Sequence, residues 1–160
     1  MSTDTPTVRL AAPADAPTIA RMSRDLIERG LGWSWTPLRV QRSIADPQTN
    51  VVVAETLAGI VGFGIMKYHD DEAHLLLLAV RPECLRRGIG AALVAWLEAT
   101  ARVAGVGQAY LEARASNVGA LAFYRRLGYE EIQSVPGYYR GIEASRRMAK
   151  DLWLPQAESA

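Results

Sequence analysis

AHLLLLAV (73–80), RPECLRR (81–87) and GIGAALVAWL (88–97) follow one another without interruption, and the passage from the first to the last decides the fold. The unbroken apolar run Leu75 to Val80 is too short to span a membrane. It is also too continuous for a strand with one wet face, so it predicts a central strand covered on both sides. Leu93, Leu97 and Ala101 recur at every fourth position, which predicts a helix. Between them Arg86-Arg87-Gly88-Ile89-Gly90 must turn the chain from strand into helix. Glycines there remove side chains that would hold a ligand away from the backbone. The first amides of a helix have no intrahelical acceptor and carry the positive end of its dipole, so anions bind there, phosphates above all. The stretch therefore reads as a pyrophosphate cradle.

Composition narrows the class. A chain of 160 residues, 49% apolar and 22% charged, fits one globular domain with a core of its own, about residues 7–154, followed by a disordered tail PQAESA at 155–160. A net charge of +1 argues against nucleic-acid binding through bulk charge. The single cysteine, Cys84, excludes an internal disulfide and a cysteine-based metal site. With only His69 and His74 besides, no metal is expected. No stretch reaches membrane-spanning length and the start MSTDTPTVRL lacks a signal-peptide core, so a cytoplasmic protein with no membrane partner is expected.

Taken in order, Val8-Arg9-Leu10 predicts a first strand. Asp15 predicts the N-cap of a helix carrying Ile19, Met22, Leu26 and Ile27 on one face and ending at Gly30. After Gly32-Trp33-Ser34-Trp35, the pair Thr36-Pro37 predicts a cap and first turn for a second helix running to about Ala45. Trp33 and Trp35 are either plugs over the core or a wall facing a substrate. Val51–Ala54 and Ile60–Lys67 read as strands joined through Leu57-Ala58-Gly59, with Asp70-Asp71-Glu72 as the next turn. Beyond the central strand and its helix, Gln108–Arg114 reads as a strand, Ser116-Asn117 caps a helix stopping at Gly128, and strands at about 129–135 and 143–152 flank a loop containing Tyr138 and Tyr139.

Gly88-x-Gly90 invites a dinucleotide reading, with Glu112 where a ribose ligand would lie. Leu93 stands at the third glycine position of that fingerprint, however, and the stretch from Val80 to Gly88 is too long for its tight turn. A P-loop is excluded, since no Gly-Lys-Ser/Thr follows. The chain from Val8 to about Leu154 instead resembles the GNAT superfamily of acetyl-CoA-dependent N-acetyltransferases. Its signature Q/R-x-x-G-x-G/A falls on Leu85-Arg86-Arg87-Gly88-Ile89-Gly90, with Leu85 departing from the usual first residue. The resemblance implies an α/β (α+β) fold: a mixed, mostly antiparallel sheet of about seven strands, flanked by about four helices and splayed between strands 4 and 5. It also implies acetyl-CoA as co-substrate. The backbone of Leu78, Ala79 and Val80 would pair with the pantetheine arm in the splay, and Arg86, Arg87, Gly88, Ile89, Gly90 and Ala91 would wrap the pyrophosphate.

Acetyl transfer to an amine needs a neutral amine, donors for the oxyanion and a proton for the leaving thiolate. An α-amine with a pKa of about 8, or a lysine at about 10.4, is mostly protonated at neutral pH. A carboxylate, directly or through water, takes that proton, and a phenol resupplies one. Leu111-Glu112-Ala113-Arg114-Ala115-Ser116-Asn117, followed by Phe123-Tyr124, most resembles the bacterial ribosomal-protein alanine N-acetyltransferases. That resemblance implies Glu112 as proton acceptor, Asn117 as a coenzyme contact and Tyr124 as proton donor. Tyr138-Tyr139 echo a tyrosine pair of that branch, whereas the last strand, GIEASRRM at 141–148, keeps only part of its ending. Plainer roles stand beside these: Glu112 paired with Arg114, Asn117 as a helix cap, Tyr124 as a core aromatic, His74 as a structural residue, and the tyrosine pair as hairpin packing.

The leading expectation is an enzyme acetylating the N-terminal α-amine of a protein or peptide, with Trp33, Trp35, Tyr138 and Tyr139 bordering the acceptor. Acetylation of a small amine (an amino acid, polyamine or drug) is the alternative, and a non-catalytic acyl-CoA sensor is a third reading.

Overall fold

A computed structural model describes residues 5–139 and 143–154, and within them the side chains of all but 135–139 and 143. The predicted tail therefore lies outside the described residues, as do Arg140 to Ile142 and the side chains of Tyr138 and Tyr139. In chain order the elements are β1 (Thr7–Leu10), α1 (Ala16–Leu26), α2 (Pro37–Ala45), β2 (Thr49–Thr56), β3 (Gly59–His69), β4 (Glu72–Val80), α3 (Ile89–Val103), β5 (Gln108–Arg114), α4 (Val118–Arg126), β6 (Glu130–Tyr139) and β7 (Glu143–Asp151). The strands form one seven-stranded sheet in the order β1-β2-β3-β4-β5-β7-β6. Pairing is antiparallel for β1–β2, β2–β3, β5–β7 and β6–β7. β4 and β5 run parallel, in register from Glu72↔Gln108 to Leu75↔Leu111, while β4 itself continues to Val80. β5 likewise runs on to Arg114, and the end of pairing between two continuing strands is the splay.

Local chemistry sets most boundaries, and three differ from the sequence expectation. Thr36 caps α2 by accepting the Arg39 amide, with Pro37 in the first turn. Asp15 stands at the N-cap of α1 but does not cap it. Its carboxylate accepts the Ala12 amide at 2.7 Å and the Arg9 guanidinium at 2.8 Å, and Arg9 also binds Glu55. α1 stops at Leu26, short of Gly30, because the Ile27 and Glu28 amides both turn back to the Ser23 carbonyl. β6 runs on to Tyr139, through part of the predicted loop, with its register to β7 broken between Val135 and Tyr139.

The chain divides into two compact units. The first holds residues 1–67 and 76–99, the second 68–75 and 100–160. In the first, Ile19, Val40, Val53, Phe63 and Ile65 are fully buried in one apolar cluster with Trp35 and Leu77. α3 sits on β3 through glycines. A Cβ at Gly62 would stand 3.1 Å from the Ala79 carbonyl oxygen, 3.2 Å from Leu93 Cδ1 and 3.3 Å from Ile89 Cγ2. One at Gly64 would meet Leu97 Cδ1 at 3.1 Å. Gly62→Ala therefore overpacks a contact that includes backbone, at an expected cost of about 1–3 kcal/mol. Thermal unfolding should fall by roughly 2–10 °C; an unchanged midpoint would mean that Leu93 and Ile89 give way freely. In the second unit, Leu111, Met148 and Tyr129 are the largest buried side chains, and the Trp153 indole lies against Gly107.

β4 corrects the first expectation. Ala73, Leu75, Leu77 and Ala79 are buried, but His74, Leu76, Leu78 and Val80 are only half-buried, so one face alone is fully covered. The open face is apolar toward Val80, which is why the strand looked covered on both sides.

Candidate functional site

The route from β4 into α3 is fixed in the first unit. Past Val80, the Arg81 amide and Nε bind the Val61 and Ile60 carbonyls at 2.8 and 2.9 Å, and a short 3-10 turn, Pro82–Cys84, buries Cys84. Arg86 and Gly88 then both take left-handed backbone, with φ of 65° and 77°. Left-handed residues in such a turn aim successive amides into one concavity, the geometry that binds anions. A non-glycine residue there stores backbone strain, here Arg86. The side chains of Arg86 and Arg87 are exposed, α3 opens at Ile89, and the amides of its first turn face outward from the helix end. Leu85, the departure from the signature, is 55% exposed and brings no polar group. This turn offers an anion its backbone amides, with the exposed Arg86 and Arg87 side chains beside them.

In the second unit one half-open sheet face gathers polar side chains. Opposed residues of neighbouring strands share a face, and the registers His74↔Tyr110 and Glu112↔Arg147 therefore place these four together. Glu112 is 5% exposed at its side chain and holds both neighbours: His74 Nε2 lies 2.6 Å from Oε1, and Arg147 Nε donates to Oε2 at 2.8 Å. The His74 ring stacks on Tyr110 with centroids 4.3 Å apart, and the Arg147 guanidinium stands 5.1 Å from the Tyr110 centroid. Burial pushes the Glu112 carboxyl up. The hydrogen bonds and charges of His74 and Arg147 outweigh that and hold it below the usual carboxylate range. Glu112 is thus an ionised, buried carboxylate bridging two strands.

α4 follows β5 at once. Asn117 Oδ1 accepts the Ala120 amide at 3.0 Å, a capping bond that leaves its NH₂ uncommitted to the cap. Tyr124 is buried, edge-on to Phe123 and Tyr129 at centroid distances of 5.1 and 5.8 Å.

The loop after α1 is built on another buried carboxylate. Glu28 accepts the Ser23 hydroxyl, the Ser34 amide and hydroxyl, and the Trp35 amide. Burial raises its pKa, and these donors together bring it below the ordinary value. The loop presents its tryptophans differently. Trp35 is 8% exposed, part of the core cluster, with Arg39 over its ring at 3.8 Å. Trp33 is 40% exposed, donates Nε1–H to the Ala20 carbonyl and meets Arg24. Trp35 is a core residue because the Glu28 bonds turn its backbone inward, so Trp33 is the ring left at the surface. Glu28→Gln would set an amide NH₂ against donors, with an expected loss of about 1–3 kcal/mol. Because the folded carboxyl is depressed, its contribution is complete above the ordinary glutamate range and fades as pH falls through the folded value. Melts of the variant should therefore change less between neutral and acid pH than those of the parent; parallel curves would count against this role.

Among the described residues no helix is long and apolar enough to cross a membrane, and no three His, Cys, Asp or Glu side chains are grouped to hold a metal ion.

The sequence profile of the Acetyltransferase (GNAT) family matches residues 20–129. The chain belongs to the GNAT acetyltransferase family. The N-alpha-acetyltransferase RimI of Mycobacterium tuberculosis is 33% identical over 149 residues, 88% of this chain and 89% of that one. The [ribosomal protein bS18]-alanine N-acetyltransferase of Escherichia coli K12 is 39% identical over 80 residues, 50% of this chain and 54% of that enzyme, so the match spans about half the relative's length. The crystal structure of the ribosomal-protein-S18-alanine N-acetyltransferase from Escherichia coli superposes with a TM-score of 0.78 at 25% identity, covering 97% of this chain and 99% of that one. This is the mixed, mostly antiparallel GNAT fold with its parallel β4–β5 splay.

Within this GNAT chain, the residues expected at the site are divided between the two units. Leu78 to Val80 and Arg86 to Ala91 lie in the first unit, while Glu112, Asn117 and Tyr124 lie in the second. Two partners of Glu112 were not expected from the sequence. From sequence alone His74 reads as structural, and Arg147 carries no role. Both sit on strands beside β5, and only the registers reveal them.

Proposed function

We propose that this GNAT chain transfers the acetyl group of acetyl-CoA to a primary amine, the N-terminal α-amine of a protein or peptide. The observation that carries the coenzyme is the left-handed pair Arg86 and Gly88 at the head of α3. It suits a pyrophosphate held by amides, and nothing stands within 4 Å of where a Gly88 Cβ would be. Leu76, Leu78 and Val80 add a half-open apolar face beside strand backbone, suited to a pantetheine arm. Residues 78–80 and 86–91 would hold the coenzyme, which supplies a thioester carbonyl activated toward attack. The acceptor class follows the relatives, whose names specify α-amines and a ribosomal-protein alanine.

The second unit handles protons. Glu112 alone, ionised and depressed, is a weak base toward an ammonium. Joined to His74 at 2.6 Å, it forms an imidazole–carboxylate pair in which the ring offers a second place for the proton. The amine gives its proton to this pair, directly or through a water. The Tyr124 phenol returns one to the leaving thiolate, and the Asn117 amide contacts the coenzyme. Thiol release from acetyl-CoA, measured across N-terminal peptides and small amines, tests the assignment. Turnover on peptides supports it, turnover confined to small amines moves the acceptor class, and none on any amine overturns the reaction.

A further inference from the structure

Arg147 faces Glu112 from the neighbouring strand. We propose that its guanidinium selects acceptors that carry a carboxylate within a few bonds of the reacting amine. This rests on the proton-handling role given above to His74 and Glu112, and it adds what the acceptor must look like.

Arg147 sits on β7 directly opposite Glu112, and through Tyr110 it shares the half-open face with His74. Its side chain is 39% exposed, against 5% for Glu112 and 18% for His74. Only Nε is spent on Glu112, at 2.8 Å. Among the described residues Nη1 and Nη2 meet no acceptor, and they form the outer edge of the guanidinium. A planar edge with parallel N–H bonds matches a carboxylate in two-pronged fashion. The Tyr110 ring, 5.1 Å from the guanidinium carbon, shields one side of it from water and so strengthens such a contact. Arg114 lies on the same face, one repeat along β5, while Glu72 and Asp151 stand on it at the other end, flanking Gln108.

A guanidinium edge beside an amine has two consequences. It favours the neutral, attacking form of that amine, because a nearby cation penalises the ammonium. It also repels any acceptor that arrives cationic, unless the acceptor brings an anion to the arginine. A carboxylate near the amine satisfies both conditions, while a lysine or arginine beside the amine violates the second. That carboxylate has two sources: an aspartate or glutamate at the second position of a peptide, or the α-carboxylate of a free amino acid.

The test compares kcat/KM at saturating acetyl-CoA for N-terminal alanine peptides that differ only in Asp, Ser or Lys at position two, with free alanine and alaninamide as a second pair. The full chain should favour Asp over Lys by about tenfold or more, and the gap should narrow at high salt. R147Q should bring the ratio to within about twofold, whatever it does to the rate common to all acceptors; R147K, which keeps the charge, should retain part of it. A preference for alanine over alaninamide without peptide discrimination assigns the carboxylate to a free amino acid and still supports the role. Wild-type ratios near one in both pairs, or wild-type ratios surviving in R147Q, overturn it. If R147Q fails to fold, the wild-type ratios and their salt dependence decide alone. A chain that acetylates no amine at all instead defeats the underlying reaction.

Discussion

Gly88→Glu is expected to abolish coenzyme binding and leave the fold standing. The substituted residue must keep a φ of 77°, which costs a side chain about 1–2 kcal/mol, while the space around its Cβ is open. The fold can bear that. A pyrophosphate cannot bear the rest, because the new carboxylate sits at the positive end of α3 and takes up the amides meant for the ligand. Titration with acetyl-CoA should show affinity reduced by at least about 100-fold, equivalent to about 2.8 kcal/mol. Gly88→Ala carries the strain without the charge and should lose far less. Circular dichroism of both variants checks that α3 persists. Undiminished binding by Gly88→Glu would remove the coenzyme from this turn.

Glu112→Gln should lower kcat by about 10²- to 10⁴-fold at neutral pH with modest change in coenzyme affinity. The deficit should shrink as pH rises, since the amine then loses its proton unaided. The buried geometry adds a demand on stability. Glutamine offers one oxygen to two partners that each engaged a separate carboxylate oxygen, so a thermal melt must accompany the kinetics. The folded Glu112 carboxyl is depressed; its stabilising share is therefore whole above the ordinary carboxylate range and lost as pH falls through the folded value, a loss the glutamine variant lacks. If His74 and Glu112 act as one unit, His74→Phe should cost nearly as much, and the double variant little more than either. Additive losses would separate them. Tyr124→Phe should respond instead to the leaving-group pKa of the acyl donor. Normal turnover by both Glu112→Gln and Tyr124→Phe would leave proximity to carry the reaction.

The strand, turn and helix at 73–97 and the order of elements were legible in the sequence because they are local. A strand, a turn with Gly88 and a helix with an apolar four-residue repeat each announce themselves within about ten residues. Caps such as Thr36 and Asn117 are equally local, and both hold. The environment of Glu112 is not local. His74 lies 38 positions before it and Arg147 35 after it. They meet because β5 pairs in parallel with β4 on one side and β7 inserts between β5 and β6 on the other. The Glu112–Arg114 pairing considered from spacing needed no register, and for that reason could not reveal the partners across the strands. Glu28 was hidden differently: apart from Ser23 in α1, its donors Ser34 and Trp35 come from a loop with no periodic pattern. Trp35 was ambiguous because an indole serves a core or a surface equally well.

The tryptophans give each unit its own optical signature. Trp33, Trp35 and Trp96 belong to the first unit, Trp153 to the second. Trp35, at 8% exposure, should emit toward the blue and shift red when the first unit opens, whereas Trp153, at 60%, starts nearly solvated. Emission of a Trp153→Phe protein then reports the first unit alone, while far-ultraviolet dichroism follows both. Coincident urea transitions would show the halves melting as one cooperative body, and separated ones would give each half its own midpoint.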